Sequence, residues 1–302
     1  MVRKAVILAA GSATRMQEGV ESYISNPEEL SAIRKGEKMA ARFGRFPFLD
    51  YQVLRLIKVG VKQINLVLKP EDNFFTGHYH SHGRLLFPEA EISFSFQRVS
   101  DGTAHAVLCA GDFVGKERFL VLNGDNHYPR GPLEMFLQSP EQHFSMVGFD
   151  AQGFNPWVKQ RLHSFAVIKS SGGKLQHIVE KSENPQTYVT TDLLHSGNQG
   201  RVEINNRLLV SMNLWCFNPD IIDACRRVPR HPPRSPGKNG EYELPDAVRL
   251  CMQEGKQVLV YYACEDILDL THAEDLEIVS RRIRENLKAS IEELEERYKN
   301  LL

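Results

Sequence analysis

The chain has 302 residues, 42% hydrophobic and 25% charged, with 37 Lys and Arg against 38 Asp and Glu and a formal net charge of -1. This composition excludes disordered, collagen-like and purely coiled-coil chains, and the length gives room for two domains or one large α/β domain with a full core. The balanced charge offers no electrostatic footprint for nucleic acid or a membrane surface, while a small anionic ligand stays open.

Five scattered cysteines, Cys109, Cys216, Cys225, Cys251 and Cys264, are an odd number without C-x-x-C spacing. They argue against a disulfide framework or a structural zinc and for a reducing, cytoplasmic location. The stretch Met1 to Gly11 imitates a signal peptide. Its apolar run is too short, and Thr14-Arg15 stand where a small-residue cleavage site should lie. No later stretch reaches the apolar length of a membrane span.

In chain order, Ala5 to Ala10 is a continuous apolar run ending in Gly11, the pattern of a strand buried on both faces. Residues 17 to 38 are polar and patternless and read as a loop or mobile insertion. Leu49, Val53, Leu56 and Ile57 form a helix face that Gly60 ends, and Gln63 to Leu68 is the next strand. Ile92 to Phe96 alternates, Thr103 stands as the cap of a small-residue helix, and Arg118 to Asp125 is a strand ending in a polar tip. Strands near 143–149, 163–169, 175–179, 208–217 and 257–262 follow, with helices near 218–226 and 242–254. Loops are expected at 182–206 and in the proline-rich 229–240. A stripe at Leu276, Val279, Ile283, Leu287, Ile291, Leu294, Tyr298 and Leu301 predicts a C-terminal helix, either a dimer coiled coil or a helix folded back on the domain. The order of elements points to a three-layer α/β sheet.

Gly11-Ser-Ala-Thr-Arg15 follows the first strand, where the N–H groups of a tight turn can cradle phosphate and Arg15 can neutralise it. It is neither G-x-G-x-x-G nor a Walker A, so an ordinary βα turn competes with that reading. Asp125 sits at the carboxyl end of a buried strand, where open sheets place their ligands. It is a candidate Mg²⁺ ligand or a capping residue. His78, His80 and His82 imitate a metal cluster but lack a carboxylate partner in sequence, and read as a solvated loop. Trp215 reads as core.

Taken together, these fragments resemble the sugar-1-phosphate nucleotidyltransferases, the NDP-sugar pyrophosphorylases. Leu8-Ala-Ala-Gly11-Ser-Ala-Thr-Arg-Met16 is similar to their L-A-A-G-x-G-T-R-M, with Ala13 in place of the second glycine. Lys38 stands nine residues before Pro47, as in the family's P-K…G-K-P segment, without the preceding proline. Gln97 and Gly102-Thr-Ala-His-Ala match Q-x4-G-T-[AG]-H-A, and Asn123-Gly-Asp125 matches the metal aspartate. Val179-Glu-Lys181, Ser211-Met-Asn213-Leu-Trp-Cys-Phe217, Gly240-Glu-Tyr-Glu-Leu-Pro245 and Asp266-Ile-Leu-Asp269 complete a collinear set.

The resemblance implies a Rossmann-like, mostly parallel (mixed) sheet, with a nucleotidyltransferase domain over 1–271 and a helical extension over 272–302. Residues 1–130 would be the nucleotide-binding part and 131–271 the sugar-phosphate part. It implies transfer from an NTP, UTP or dTTP favoured, to a sugar 1-phosphate. Arg15, Lys38 and Lys181 would be catalytic. Leu8, Ala9, Ala10, Gly11, Ser12, Gln97, Gly102 and Thr103 would bind nucleotide, Asn123, Gly124, Glu180, Lys181 and Asn213 would bind sugar phosphate, and Asp125 and Asp269 would hold Mg²⁺. The chemistry suits these residue types. A sugar phosphate is already an anionic nucleophile, so catalysis reduces to positioning and charge neutralisation without a general base. Lys38 has a plain counterpart as a solvated lysine, and Asp269 as a cap of the C-terminal helix together with Thr271. A non-catalytic sensing relative, or transfer to a non-sugar phosphate such as phosphocholine, competes with the enzyme reading, and a homo-oligomer stays open. The retained Thr14-Arg15 favours a turn in which Ala13 has an ordinary negative φ.

Overall fold

The computed structural model describes residues 2–233 and 240–299. Its strands are β1 (Lys4–Leu8), β2 (Arg42–Phe43), β3 (Phe46–Pro47), β4 (Gln63–Leu68), β5 (Glu91–Phe96), β6 (Phe119–Asn123), β7 (Asn126–His127), β8 (Phe144–Asp150), β9 (Ala166–Ser171), β10 (Lys174–Val179), β11 (Val189–His195), β12 (Arg201–Phe217), β13 (Val258–Ala263) and β14 (Leu268–Asp269). The chain divides into two compact units, and neither is continuous in sequence. The first comprises Met1–Val6, Asp101–Asn123 and Pro129–Ile267, the second Ile7–Ser100, Gly124–Tyr128 and Leu268–Leu302.

The first unit is built on a mixed sheet in the order β11-β13-β10-β9-β12-β6, with the start of β1 beside β6. β8 runs antiparallel to β12 and parallel to β13, with Val258 opposite Phe144. Every residue of β8 is buried, which its run of Phe, Met, Val and Phe requires of a strand covered on both faces. Part of the expected loop at 182–206 is strand instead. β11 pairs antiparallel with the first half of β12, from Val189 opposite Leu208 to His195 opposite Arg201. Five of the seven β11 residues are exposed or only partly covered, so the hairpin lacks the apolar run that marks the central strands. Of the proline-rich stretch, residues 234–239 lie outside the described residues.

In the second unit the end of β1 lies beside β4, and β4 pairs in parallel with β5 from Gln63–Glu91 to Leu68–Phe96. The helix Phe48–Lys58 buries the predicted face, with Leu49, Val53 and Leu56 fully covered and Ile57 8% exposed, and it buries Leu54 besides. The expectation of a loop over 17–38 is overturned. A helix spans Pro27–Arg34, started by the Asn26 side chain, which accepts from Glu29 N–H at 3.0 Å, and by Pro27 in the first turn. Val20 and Ile33 are fully buried around it.

The C-terminal stripe forms two helices, Asp275–Asn286 and Lys288–Lys299, broken at Leu287. The second folds back on its own unit. Tyr298 packs edge-on against Phe46 and lies under the Arg45 guanidinium at 4.6 Å, Lys58 reaches Glu293 at 2.5 Å, and Arg297 grips Glu89 through two bonds of 2.7 and 2.8 Å. Leu301 lies outside the described residues. No helix of the described chain is long and apolar enough to cross a membrane.

Candidate active site

In the second unit the turn after β1 is exposed at Gly11 and Ser12 and leads into the short helix Thr14–Gln17 that carries Arg15. Ala9 N–H donates to Val67 C=O at 2.9 Å, and Ala10 C=O accepts from the Ser100 hydroxyl at 2.9 Å. Ala13 adopts φ 53, ψ 25, the left-handed region, so the expectation of a negative φ was wrong. From that conformation its carbonyl accepts the N–H groups of Met16 and Gln17, which starts the helix. The position keeps the geometry that a glycine serves without strain.

Gly36 was missed in sequence. It has φ 99, and a Cβ there would lie 3.1 Å from Gly11 C=O and 3.0 Å from Ser12 C=O. A positive φ and close backbone contact together favour glycine, and they bring the segment before Lys38 against the turn. Glu37 is buried, and desolvation together with the Asp72 charge pushes its carboxyl up to about 7.

Lys38 is no solvated loop lysine. Its Nζ lies 2.5 Å from Asp125 Oδ2, and the two side chains are 13% and 22% exposed. Asp125 reaches this position through Gly124, whose N–H donates to Leu8 C=O at 2.9 Å. A Cβ on Gly124 would meet Leu8 C=O at 3.2 Å and Ile7 Cγ2 at 3.3 Å, so the small residue permits the close approach. Asp125 C=O in turn accepts from Leu270 N–H at 2.9 Å, and β7 pairs with β14 so that Asn126 faces Asp269. Asp269 is buried, and accepts from Asn126 Nδ2 and from the Thr271 hydroxyl, each at 2.9 Å. Among the described residues no side chain caps the helix Asp275–Asn286 through a hydrogen bond, Asp269 included, and its first residue, Asp275, instead accepts from Thr271 and His272 N–H in the preceding turn, each at 2.7 Å.

Mg²⁺ is commonly held by one or two carboxylates together with substrate phosphates. Asp125 and Asp269 supply two oxygen donors from adjoining backbone, and Asn126 and Thr271 orient the second. This donor set fits a hard divalent cation shared with phosphates. Among the described residues no group of three or more His, Cys, Asp or Glu could hold a metal. The histidines at 78, 80 and 82 do not form the solvated loop expected of them. They lie on a continuous helical stretch, and His78 Nε2 stands 3.0 Å from both oxygens of the fully buried Asp50. Gln97, 4% exposed, follows β5, and its N–H donates to Leu68 C=O at 2.8 Å.

In the first unit, Thr103 does not cap its own helix, Thr103–Cys109, which starts from Gly102 at φ 96. The Thr103 hydroxyl instead accepts from Leu244 N–H at 2.8 Å, at the start of the helix Leu244–Gln253. Tyr242 N–H donates to Asp101 C=O and Ala104 N–H to Tyr242 C=O, both at 2.8 Å. A Cβ on Gly102 would lie 2.5 Å from Tyr242 C=O. Two motifs far apart in sequence are thereby joined through backbone.

Asn123 ends β6, and the half-buried Glu180 and exposed Lys181 follow β10. Asn213 sits at an irregularity of β12, between Ser211 and Trp215, and its Oδ1 accepts from the Trp215 indole N–H at 3.2 Å. Trp215 is fully buried, as expected. Among the described residues the non-glycine positions with positive φ are Ala13, Lys181, Asn206 and Asn213. Three of these four belong to the motifs singled out in sequence, a concentration of backbone strain typical of functional sites.

The sequence profile of the family described as Nucleotidyl transferase matches residues 4–286. UTP–glucose-1-phosphate uridylyltransferase AglF of Haloferax volcanii is 22% identical over 289 residues, covering 96% of this chain and 100% of that protein. The bifunctional protein GlmU of Hyphomonas neptunium is 28% identical over 293 residues, 93% of this chain and 53% of GlmU, so the chain spans about half of that relative. Among solved structures, a UDP-glucose pyrophosphorylase complexed with UDP-glucose is similar in fold, with a TM-score of 0.65 at 18% identity over 94% of this chain and 99% of that one. The chain belongs to the nucleotidyl transferase family.

Proposed function

We propose that this protein transfers a nucleotidyl group from an NTP, with UTP or dTTP favoured, to a sugar 1-phosphate, releasing pyrophosphate. The observation that carries the reading is the charge cluster of the second unit, in which Lys38 pairs with Asp125 and Asp269 is held on the adjoining strand. An oxygen of the sugar phosphate attacks the α-phosphorus of the NTP, the new P–O bond forms, and the bond to pyrophosphate breaks in line. The nucleophile is already ionised, so no side chain has to remove a proton.

The residues divide the remaining work. Leu8 to Ser12 and Arg15 receive the leaving phosphates, Lys38 neutralises charge at the reacting phosphate, and Gln97 with Gly102 and Thr103 reads the base. Asn123, Gly124, Glu180, Lys181 and Asn213 receive the sugar phosphate. Asp125 and Asp269 would hold Mg²⁺, which when bound supplies Lewis-acid stabilisation and a template for the phosphates. The named relative AglF, a UTP–glucose-1-phosphate uridylyltransferase, supports the substrate class. The free cysteines of the described chain support a cytoplasmic setting. A panel of NTPs against several sugar 1-phosphates with Mg²⁺, scored by pyrophosphate release, tests the proposal. Release above background for at least one pair is expected, and tight NTP binding without release for any pair would favour a sensing role.

A further inference from the structure

A cavity of about 400 Å³ opens in the first unit, lined by Arg3, Lys116, Glu117, Arg118, Glu141, Asn218 and Pro219. Its charges do not balance. Glu117 is matched by Lys4, whose Nζ lies 2.8 Å from it. Arg118 donates to Ser139 C=O at 2.9 Å and to Cys216 Sγ at 3.2 Å. Both acceptors are neutral, since burial pushes the Cys216 thiol up to about 11 even with Arg118 beside it. Arg3 and Lys116 have no hydrogen-bond or ion-pair partner among the described residues, which leaves three cations facing Glu141 as the only carboxylate of the lining not already paired.

We propose that this cavity is a second ligand site, separate from the candidate active site, that binds the phosphate group of a small phosphorylated molecule. The net excess of two positive charges complements a phosphate dianion, and the volume leaves room for the group it is attached to. The cavity shares no residue with the candidate active site. Within the first unit Arg118 immediately precedes β6 while Asn123, proposed for the sugar phosphate, ends it, so that at about 3.3 Å per residue the strand puts about 16 Å between these two residues.

The inference does not depend on nucleotidyl transfer, and its test is a binding measurement. Inorganic pyrophosphate is titrated calorimetrically into the wild type, into Arg3→Ser/Lys116→Ser, whose altered side chains are exposed, and into Lys38→Met. Two binding events are expected in the wild type. The double variant loses one of them, or has it weakened at least tenfold, with its melting temperature and turnover retained. Lys38→Met keeps the event that the double variant loses. Parallel titrations with inorganic phosphate and a nucleoside monophosphate distinguish a free anion from a phosphorylated metabolite. Wild-type stoichiometry and affinity in Arg3→Ser/Lys116→Ser would overturn the proposal, as would a single binding event in the wild type that Lys38→Met abolishes.

Discussion

The two units hold their candidate residues by different means. In the second unit the charged side chains are fixed by one another and by burial, with Lys38 on Asp125 and Asn126 and Thr271 on Asp269. In the first unit Lys181 and Asn213 are placed by backbone, each at a positive φ. Charge chemistry needs a site that stays preorganised before the phosphates arrive, and paired groups at low exposure supply that. Recognition of a polar ligand needs side chains aimed out of a sheet, and a local left-handed residue or a strand irregularity does this at a cost of about 1 kcal/mol or more. Ala13 belongs to the second unit but behaves like the first, since its turn is set by strain.

The contrast can be broken most sharply at Lys38. Lys38→Met should lower turnover about 100-fold, roughly 3 kcal/mol of transition-state stabilisation, while the melting curve changes little. Steady-state kinetics beside thermal unfolding checks this, and near wild-type turnover would reduce the Lys38–Asp125 pair to a structural contact. Next in size is Gln97→Ala, which should change the ratio of kcat/KM between UTP and the other NTPs by about tenfold and leave the KM for the sugar phosphate nearly unchanged. A competition assay reads the ratio, and an unaltered one would move base recognition elsewhere.

Smaller effects sharpen the comparison. Ala13→Gly should relieve the left-handed strain and, after the added unfolded-state entropy, raise stability by up to about 1 kcal/mol with tighter NTP binding. Denaturant unfolding and calorimetry measure both, and lower stability with flat affinity would mean that the left-handed conformation carries no cost. Glu37→Gln tests the packing beneath the turn. The Glu37 carboxyl is raised from 4.5 to about 7. Between those values the folded chain keeps a proton that the unfolded chain has lost. The Glu37 contribution to stability therefore falls as pH rises from about 4.5 to about 7 and is flat above. The glutamine variant should lack that component and exceed the wild type in stability at pH 8, and parallel pH profiles of the two proteins would contradict it.

The sheet was legible because its central strands are apolar runs, and the helix Phe48–Lys58 because its spacing is regular. The region 17–38 was not, because its helix is short and mostly polar. The Asn26-Pro27 start with Glu29 three residues on was the signal that could have found it. β11 escaped for a related reason, since a hairpin with exposed faces has no need of an apolar pattern. Of the charge cluster, Asp125 was a candidate from its place at the carboxyl end of a buried strand, whereas Lys38 and Asp269 were named only through the resemblance, because nothing in a sequence reports that Lys38 and Asp125 meet. The positive φ of Ala13, Lys181 and Asn213 was hidden because backbone conformation is readable mainly where glycine demands it.

The central claim, that the Lys38–Asp125–Asp269 cluster performs nucleotidyl transfer to a sugar 1-phosphate, is tested most directly at Asp125. Pyrophosphate release would be measured for the wild type and Asp125→Asn with the best NTP and sugar 1-phosphate of the panel, with Mg²⁺ and in EDTA. The account predicts a loss of about 100-fold or more in the variant, and loss of wild-type activity in EDTA, with the fold intact by circular dichroism. Full release by Asp125→Asn, or by the wild type in EDTA, would contradict it.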